Sequence, residues 1–316
     1  MKKKNLISLI LVITILTAIF STVYATDEQA EIPTAYDLRN DISIKVENQI
    51  SGDYAKGPSC YSYAKVKMIE TYIQKTKGIS YNLSEAYYGY NGESKDRTFV
   101  LESDFPNKMY AQISNIDSKV EAVKEKAVVK NFNYLSNVIK NKETVKKYIT
   151  KYGGVLLVPT CDNQMNNYKG GMYHSKSVGA DGDTHALLII GWDDNYSKDN
   201  FYYEKPENDG AWLVLNSWGT SWANNGVGWL SYEDYYSSVN DVKFIGDLTL
   251  ADGEKIETKL EDKKQEEIKE TETPVINQEI IESNKTSNIQ NIFIIVFVGA
   301  VILLIIGIIL KSKKHK

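Results

Sequence analysis

The feature that most constrains the chain is a run of 19 uncharged residues, Ile292 to Leu310, followed by Lys311-Ser312-Lys313-Lys314-His315-Lys316. At about 1.5 Å per residue such a run crosses a bilayer core of about 30 Å, and a basic flank favours the cytoplasmic side. A shorter apolar run, Leu6 to Phe20, follows Lys2-Lys3-Lys4 and precedes Val23-Tyr24-Ala25, the pattern of a secretory signal peptide with a small-residue cleavage site. Asp252 to Gln290 is mostly Glu, Lys, Thr, Asn and Gln, too poor in apolar groups to offset the entropy of ordering it. The expected organisation is a signal peptide at 1–25, a folded body at 26–250, a charged, disordered stalk at 251–290, a transmembrane helix at 291–311 and a basic cytoplasmic tail at 312–316. This implies export by the general pathway and anchoring in the cell membrane with the body outside.

That body holds nearly all of the 22 tyrosines and is long enough for one large domain or two packed lobes. The net charge of -4, and lysines that alternate with glutamates after residue 250, exclude a nucleic-acid binder. Cys60 and Cys161 are the two cysteines, too few for a disulfide scaffold. Three histidines, His174, His185 and His315, and no HExxH spacing argue against a metal site. No cofactor and no metal are expected. His174, in a polar glycine-rich stretch, reads as a surface loop residue, and Cys161 as a packed thiol.

In "SCYSYAKVKMIETYIQKT" (59–76), Tyr61, Ala64, Met68, Ile69 and Tyr72 recur at spacings of three and four, predicting an amphipathic helix with Ser59 near its cap. "NLSEAYYGYNG" predicts a short helix capped by Ser84, and helical patterns return at 116–129 and 141–151. Then "GVLLVP", "HALLIIGW", "GAWLVLNSWG", "GVGWLSY" and "DVKFIGDLTL" read as strands bounded by glycines and acidic turns. Helices first and strands second predict an α+β fold with a helical lobe facing a β lobe across a cleft.

Cys60 falls in the first turn of the first helix, where free N–H groups and the helix dipole favour a thiolate. By itself such a cysteine reads more often as an inert buried thiol. His185 at a strand start and Asn216 at a strand end add complementary roles. An imidazole takes the thiol proton and returns one to a leaving amine, while a carboxamide holds the ring in orientation. Trp218 is placed to shield the Asn-His contact, and Gln49 to direct an amide N–H, with the Cys60 backbone N–H, at a reacting carbonyl oxygen.

Together these residues resemble the papain-like cysteine peptidases. "YDLRN" (36–40) is similar to that family's mature N-terminus, "VENQ" (46–49) to its oxyanion-glutamine segment and "SCYSYA" (59–64) to its nucleophile helix. "NLSEA", "THALLIIGW" and "NSWGTSWANNGVGWL" resemble further segments, so that the likeness covers about residues 33–250. It implies Cys60 as nucleophile, His185 as general base and acid, Asn216 as the orienting third member, Gln49 as oxyanion donor and Trp218 as shield. It also implies a papain-like two-lobe fold, with an antiparallel, barrel-like β lobe and the active-site cleft between the lobes. Ala186 and Cys161 are expected near the pocket for the substrate's second residue. Two departures stand out: Gly57-Pro58-Ser59-Cys60-Tyr61 lacks the usual second cysteine, and "ISGDYAKG" lengthens the link from Gln49 to Cys60.

The expected activity is peptide-bond hydrolysis through a thioester acyl-enzyme by a monomer, on a peptide or protein substrate of the cell surface or wall. Two alternatives are a catalytically silent binding module of the same fold and a transglutaminase-like acyl transferase. The nucleophile and base are both present, against the first; the third member is Asn216 rather than Asp, against the second.

Overall fold

The computed structural model describes residues 31–49, 59–91, 97–107, 116–176, 183–237 and 242–260. In chain order these form β1 (Ala35–Asp37), α1 (Cys60–Lys77), α2 (Glu85–Asn91), α3 (Ile116–Lys124), β2 (Val129–Tyr134), α4 (Lys142–Tyr152), β3 (Val155–Leu157), β4 (Thr160–Cys161), α5 (Asn163–Asn166), β5 (Asp183–Thr184), β6 (Leu187–Asp193), β7 (Ala211–Leu215), β8 (Val227–Ser231), β9 (Ile245–Leu250) and β10 (Lys255–Glu257).

Helix α1 starts after Ser59, whose backbone is extended, and ends at Gly78 in the left-handed region, where glycine carries no Cβ penalty. Val66, Met68, Ile69, Tyr72 and Ile73 are fully buried, each contributing about 1.5–3 kcal/mol of apolar burial. The helix is not amphipathic as the spacing predicts, because Ser62 through Ile73 are all buried. Its charges are accommodated internally. Lys67 pairs with Glu70, and the Lys65 ammonium lies 4.3 Å from the Tyr61 ring centroid and 5.1 Å from those of Tyr88 and Tyr134, a cation–π arrangement.

The main sheet runs β1-β6-β7-β8, with β3 also on β6, and every pairing is antiparallel. Strand β6 is almost entirely apolar and buried on both faces, and α1 and α4 pack with it into one core. A smaller cluster of Ala86, Tyr87, Val100, Phe105, Val120 and Ala127 closes the helical side. This is the α+β segregation expected from the element order.

Three expectations need correcting. The predicted helix 116–129 stops at Lys124, and Val129–Tyr134 pairs with β9 instead. A register shift between Val129 and Asn131 breaks the alternation that would have identified the strand. The folded part also runs past residue 250 into the predicted stalk. Strand β10 pairs with β9, Ile256 is buried, and the Tyr152 hydroxyl donates to the Lys259 carbonyl at 2.8 Å. Lastly, His174 is buried rather than on a surface loop. Among the described residues no helix is long and apolar enough to cross a membrane. The predicted signal peptide, the stalk beyond Leu260, the transmembrane helix, the tail and the 50–58 link lie outside the described residues.

Candidate active site

Cys60 is the first residue of α1 and is half-buried. The Ser59 carbonyl accepts from the Ser62 and Tyr63 amides at 2.9 and 3.3 Å, so the first turn is closed by the backbone without a side-chain cap. The thiol therefore sits at the N-terminal end of an 18-residue helix. One turn on, Tyr63 and Ala64 line a small cavity together with Ala186, Asn216 and Ser217. The start of α1 thus abuts the strand ends that carry the other candidate groups.

His185 lies between β5 and β6. Its amide donates to the Pro159 carbonyl at 3.0 Å, and the preceding Thr184 pairs with Thr160 of β4. Its Nε2 is 2.8 Å from Asn216 Oδ1. The same oxygen accepts from the Ser217 amide at 2.7 Å, and a backbone N–H can only donate. That fixes the carboxamide with its oxygen toward the ring, places the ring proton on Nε2 and leaves Nδ1 as the ring's acceptor. Burial, with His185 4% exposed, lowers the imidazole pKa, partly opposed by the bond to Asn216; the ring stays in its neutral, proton-accepting form. Trp218 packs on it with centroids 4.8 Å apart.

Gln49 is held from two directions. Its amide donates to the Ser217 carbonyl at 2.7 Å, while the Ser217 hydroxyl donates to Gln49 Oε1. With its oxygen occupied, the side chain has its NH2 as donor, the kind of group an oxyanion site requires. Flanking contacts hold the segment to the loop after β7: Asn48 bridges Trp218, and the Gly219 amide donates to the Glu47 carbonyl at 2.9 Å. Gly219 has φ +75°, and a Cβ there would lie 2.8 Å from the Asn48 side chain, so the close approach requires glycine.

The structure brings Gln49, His185, Asn216 and Trp218 into one bonded cluster with Cys60 at the adjoining helix end. Ala186 is 2% exposed and lines the same small cavity. Cys161 is half-buried on β4 opposite Asp183, two residues before the histidine. Sequence reasoning missed Ser217, whose hydroxyl donates to Gln49 Oε1; its position inside the Asn-Ser-Trp triplet was the available signal. It also missed the surroundings of His174, whose Nδ1 is 2.6 Å from Asp234 and Nε2 3.1 Å from Asp162. Against the opposing effect of burial, these two carboxylates raise its pKa to about 9. Among the described residues no cluster of three or more His, Cys, Asp or Glu is arranged to hold a metal.

A cysteine at a helix start, a carboxamide-oriented imidazole and a tethered glutamine amide define the constellation of a cysteine protease. A family model described as "Papain family cysteine protease" matches residues 32–243, and the chain belongs to that family. In solved structures, the cysteine protease and lectin-like domains of Cwp84, a surface layer associated protein of Clostridium difficile, match with a TM-score of 0.54 and 26% identity, over 69% of this chain and 52% of that one. A cysteine protease of Blomia tropicalis is 26% identical over 204 residues, 61% of this chain and 56% of its own length. Mouse cathepsin R is 34% identical over 82 residues, and the match spans 22% of each chain. The chain thus spans about half or less of the length of these relatives.

Proposed function

We propose that the protein is a membrane-tethered, extracellular peptidase that cleaves peptide bonds of surface or cell-wall proteins through a thioester acyl-enzyme. The observation that carries this reading is the His185–Asn216 contact, packed by Trp218, beside a glutamine side chain whose oxygen accepts from Ser217. His185 Nδ1 accepts the Cys60 proton, and the thiolate attacks the scissile carbonyl carbon, forming a C–S bond. The Gln49 side-chain amide and the Cys60 backbone N–H stabilise the resulting oxyanion. Collapse breaks the C–N bond, and the imidazolium protonates the departing amine. A water deprotonated by His185 then attacks the thioester, releasing the acid and restoring the thiol.

The tether rests on the uncharged run 292–310 and its basic flank, and the outward orientation on the amino-terminal export pattern. The surface substrate rests on those features together with the likeness to a surface-layer-associated protease. The test uses cells expressing the full chain with a carboxy-terminal tag. Added dye-labelled casein should be degraded by intact cells, and the Cys60→Ser form should be inactive. The tag should sediment with membranes and resist a protease added outside. Recovery of the tagged protein in the soluble fraction would overturn the tether, and equal casein turnover by the Cys60→Ser form would overturn the peptidase reading.

A further inference from the structure

The oxygen of the Asn216 carboxamide has its two donors, from His185 and Ser217. Its nitrogen does not: Asn216 Nδ2 is buried and meets no hydrogen-bond partner among the described residues. A buried amide NH2 left without an acceptor is costly, and such groups in native structures find a partner or an ordered water. Asn216 borders a cavity of about 20 Å³ whose other polar walls are Glu47, Lys67 and Ser217. That volume suits one water, which needs two to four polar partners.

Glu47 and Lys67 come from the two segments that the reaction must align. Glu47 lies two residues before Gln49 and accepts through its carbonyl from Gly219. Lys67 lies seven residues after Cys60, two turns along the same face of α1. The Lys67 ammonium is 7% exposed, pairs with Glu70 and stands 3.8 Å from Glu47 Oε1. Lys45 approaches that oxygen from the solvent side at 2.9 Å. A buried ion pair is weak evidence for stability, because desolvation offsets its attraction. One that joins the nucleophile helix to the oxyanion segment, beside the catalytic carboxamide, has a better account as a positioning device.

We infer that Glu47, held by Lys67, is a positioning residue for Asn216, acting through one buried water that accepts from Asn216 Nδ2 and donates to the Glu47 carboxylate. An ionised carboxylate only accepts, so the water's proton must point to Glu47 and its lone pair to the amide nitrogen. This polarity reinforces the Oδ1-to-His185 orientation from the far side. Outer partners of this kind set the geometry of the groups that touch the reacting atoms. The inference rests on the peptidase reading.

The test uses the full-length protein and the variants Glu47→Gln, Glu47→Leu and Lys67→Met, with thermal melting as a check on folding. Two rates are read: inactivation by an epoxide thiol inhibitor and turnover of dye-labelled casein. Glu47→Leu and Lys67→Met should lower kcat and the inactivation rate about tenfold with KM little changed, while Glu47→Gln, which keeps an acceptor oxygen, recovers most of the loss. A wild-type rate in a folded Glu47→Leu protein, an equal loss in Glu47→Gln, or an effect confined to KM would overturn the inference. An inert wild-type protein would overturn the peptidase reading, and the inference with it. A crystal structure gives an independent reading if a variant does not fold. An ordered water within about 3.2 Å of both Asn216 Nδ2 and Glu47 is expected; an Asn216 Nδ2 bonded elsewhere contradicts it.

Discussion

His174 offers a sharp test of the electrostatics because two carboxylates hold it from opposite sides of the ring. Asp162 caps α5 through the Gln164 amide and reaches Nε2, while Asp234 takes both the His174 amide at 2.9 Å and Nδ1 at 2.6 Å. Raising the imidazolium pKa from 6.5 to about 9 corresponds to about 3.5 kcal/mol at about 1.4 kcal/mol per pH unit. Partial solvent screening at Asp162, 27% exposed, brings the expected contribution to about 2 kcal/mol. The folded-state pKa is raised, so this stability is fully present below about pH 6.5, declines as pH rises and is gone above about pH 9. The perturbation is His174→Gln, which keeps a planar hydrogen-bonding group and cannot ionise. Urea unfolding of both proteins at about pH 6, 8 and 10, followed by tryptophan fluorescence, gives the stability gap at each pH. Taking the difference cancels titrating groups remote from His174, including Glu85. The gap should shrink by about 2 kcal/mol from pH 6 to pH 10. A gap independent of pH would refute the assignment of a charged, doubly paired His174.

Other outcomes follow from the same geometry. Ser217→Ala removes the donor to Gln49 Oε1 and should lower kcat about tenfold while leaving KM nearly unchanged, as steady-state peptide hydrolysis would read. Burial raises the pKa of Glu85 to about 8, so its neutral form stabilises the fold below about pH 4.5 and that contribution is lost as pH rises through about 8. Glu85→Gln should flatten the pH dependence of the melting temperature across that window. Ile256→Ala, at a buried site in β10, should cost about 2–4 kcal/mol by denaturant unfolding; an effect near zero would place the end of the fold back at residue 250.

The parts of the site legible in the sequence were those whose meaning is local. Cys60 after a cap residue, His185 at the head of an apolar strand and Asn216 at the end of another carry their contexts with them. Groups that acquire a role only from distant partners were not legible. Glu47 and Lys67 line one cavity with Asn216 across separations of about 150 residues or more, and nothing adjacent to either marks it. His174 has polar and glycine neighbours, but Asp234, 60 residues on, draws it inside. Strand β2 was hidden by its bulge, which puts Val129 and Phe132 out of simple alternation. In α1 the spacing of apolar residues was read correctly while the burial of its charges was not, since Lys65 and Lys67 are accommodated by rings and carboxylates from other segments.

The most direct test of the central claim is to treat the protein with an epoxide thiol inhibitor and locate the modified residue by peptide mass spectrometry, alongside Cys60→Ser and His185→Ala. The account predicts rapid labelling confined to Cys60, absent in Cys60→Ser and slowed at least a hundredfold, on the order of a lost general base, in His185→Ala. Labelling of Cys161 at an equal rate, or labelling of Cys60 that ignores the loss of His185, would contradict it.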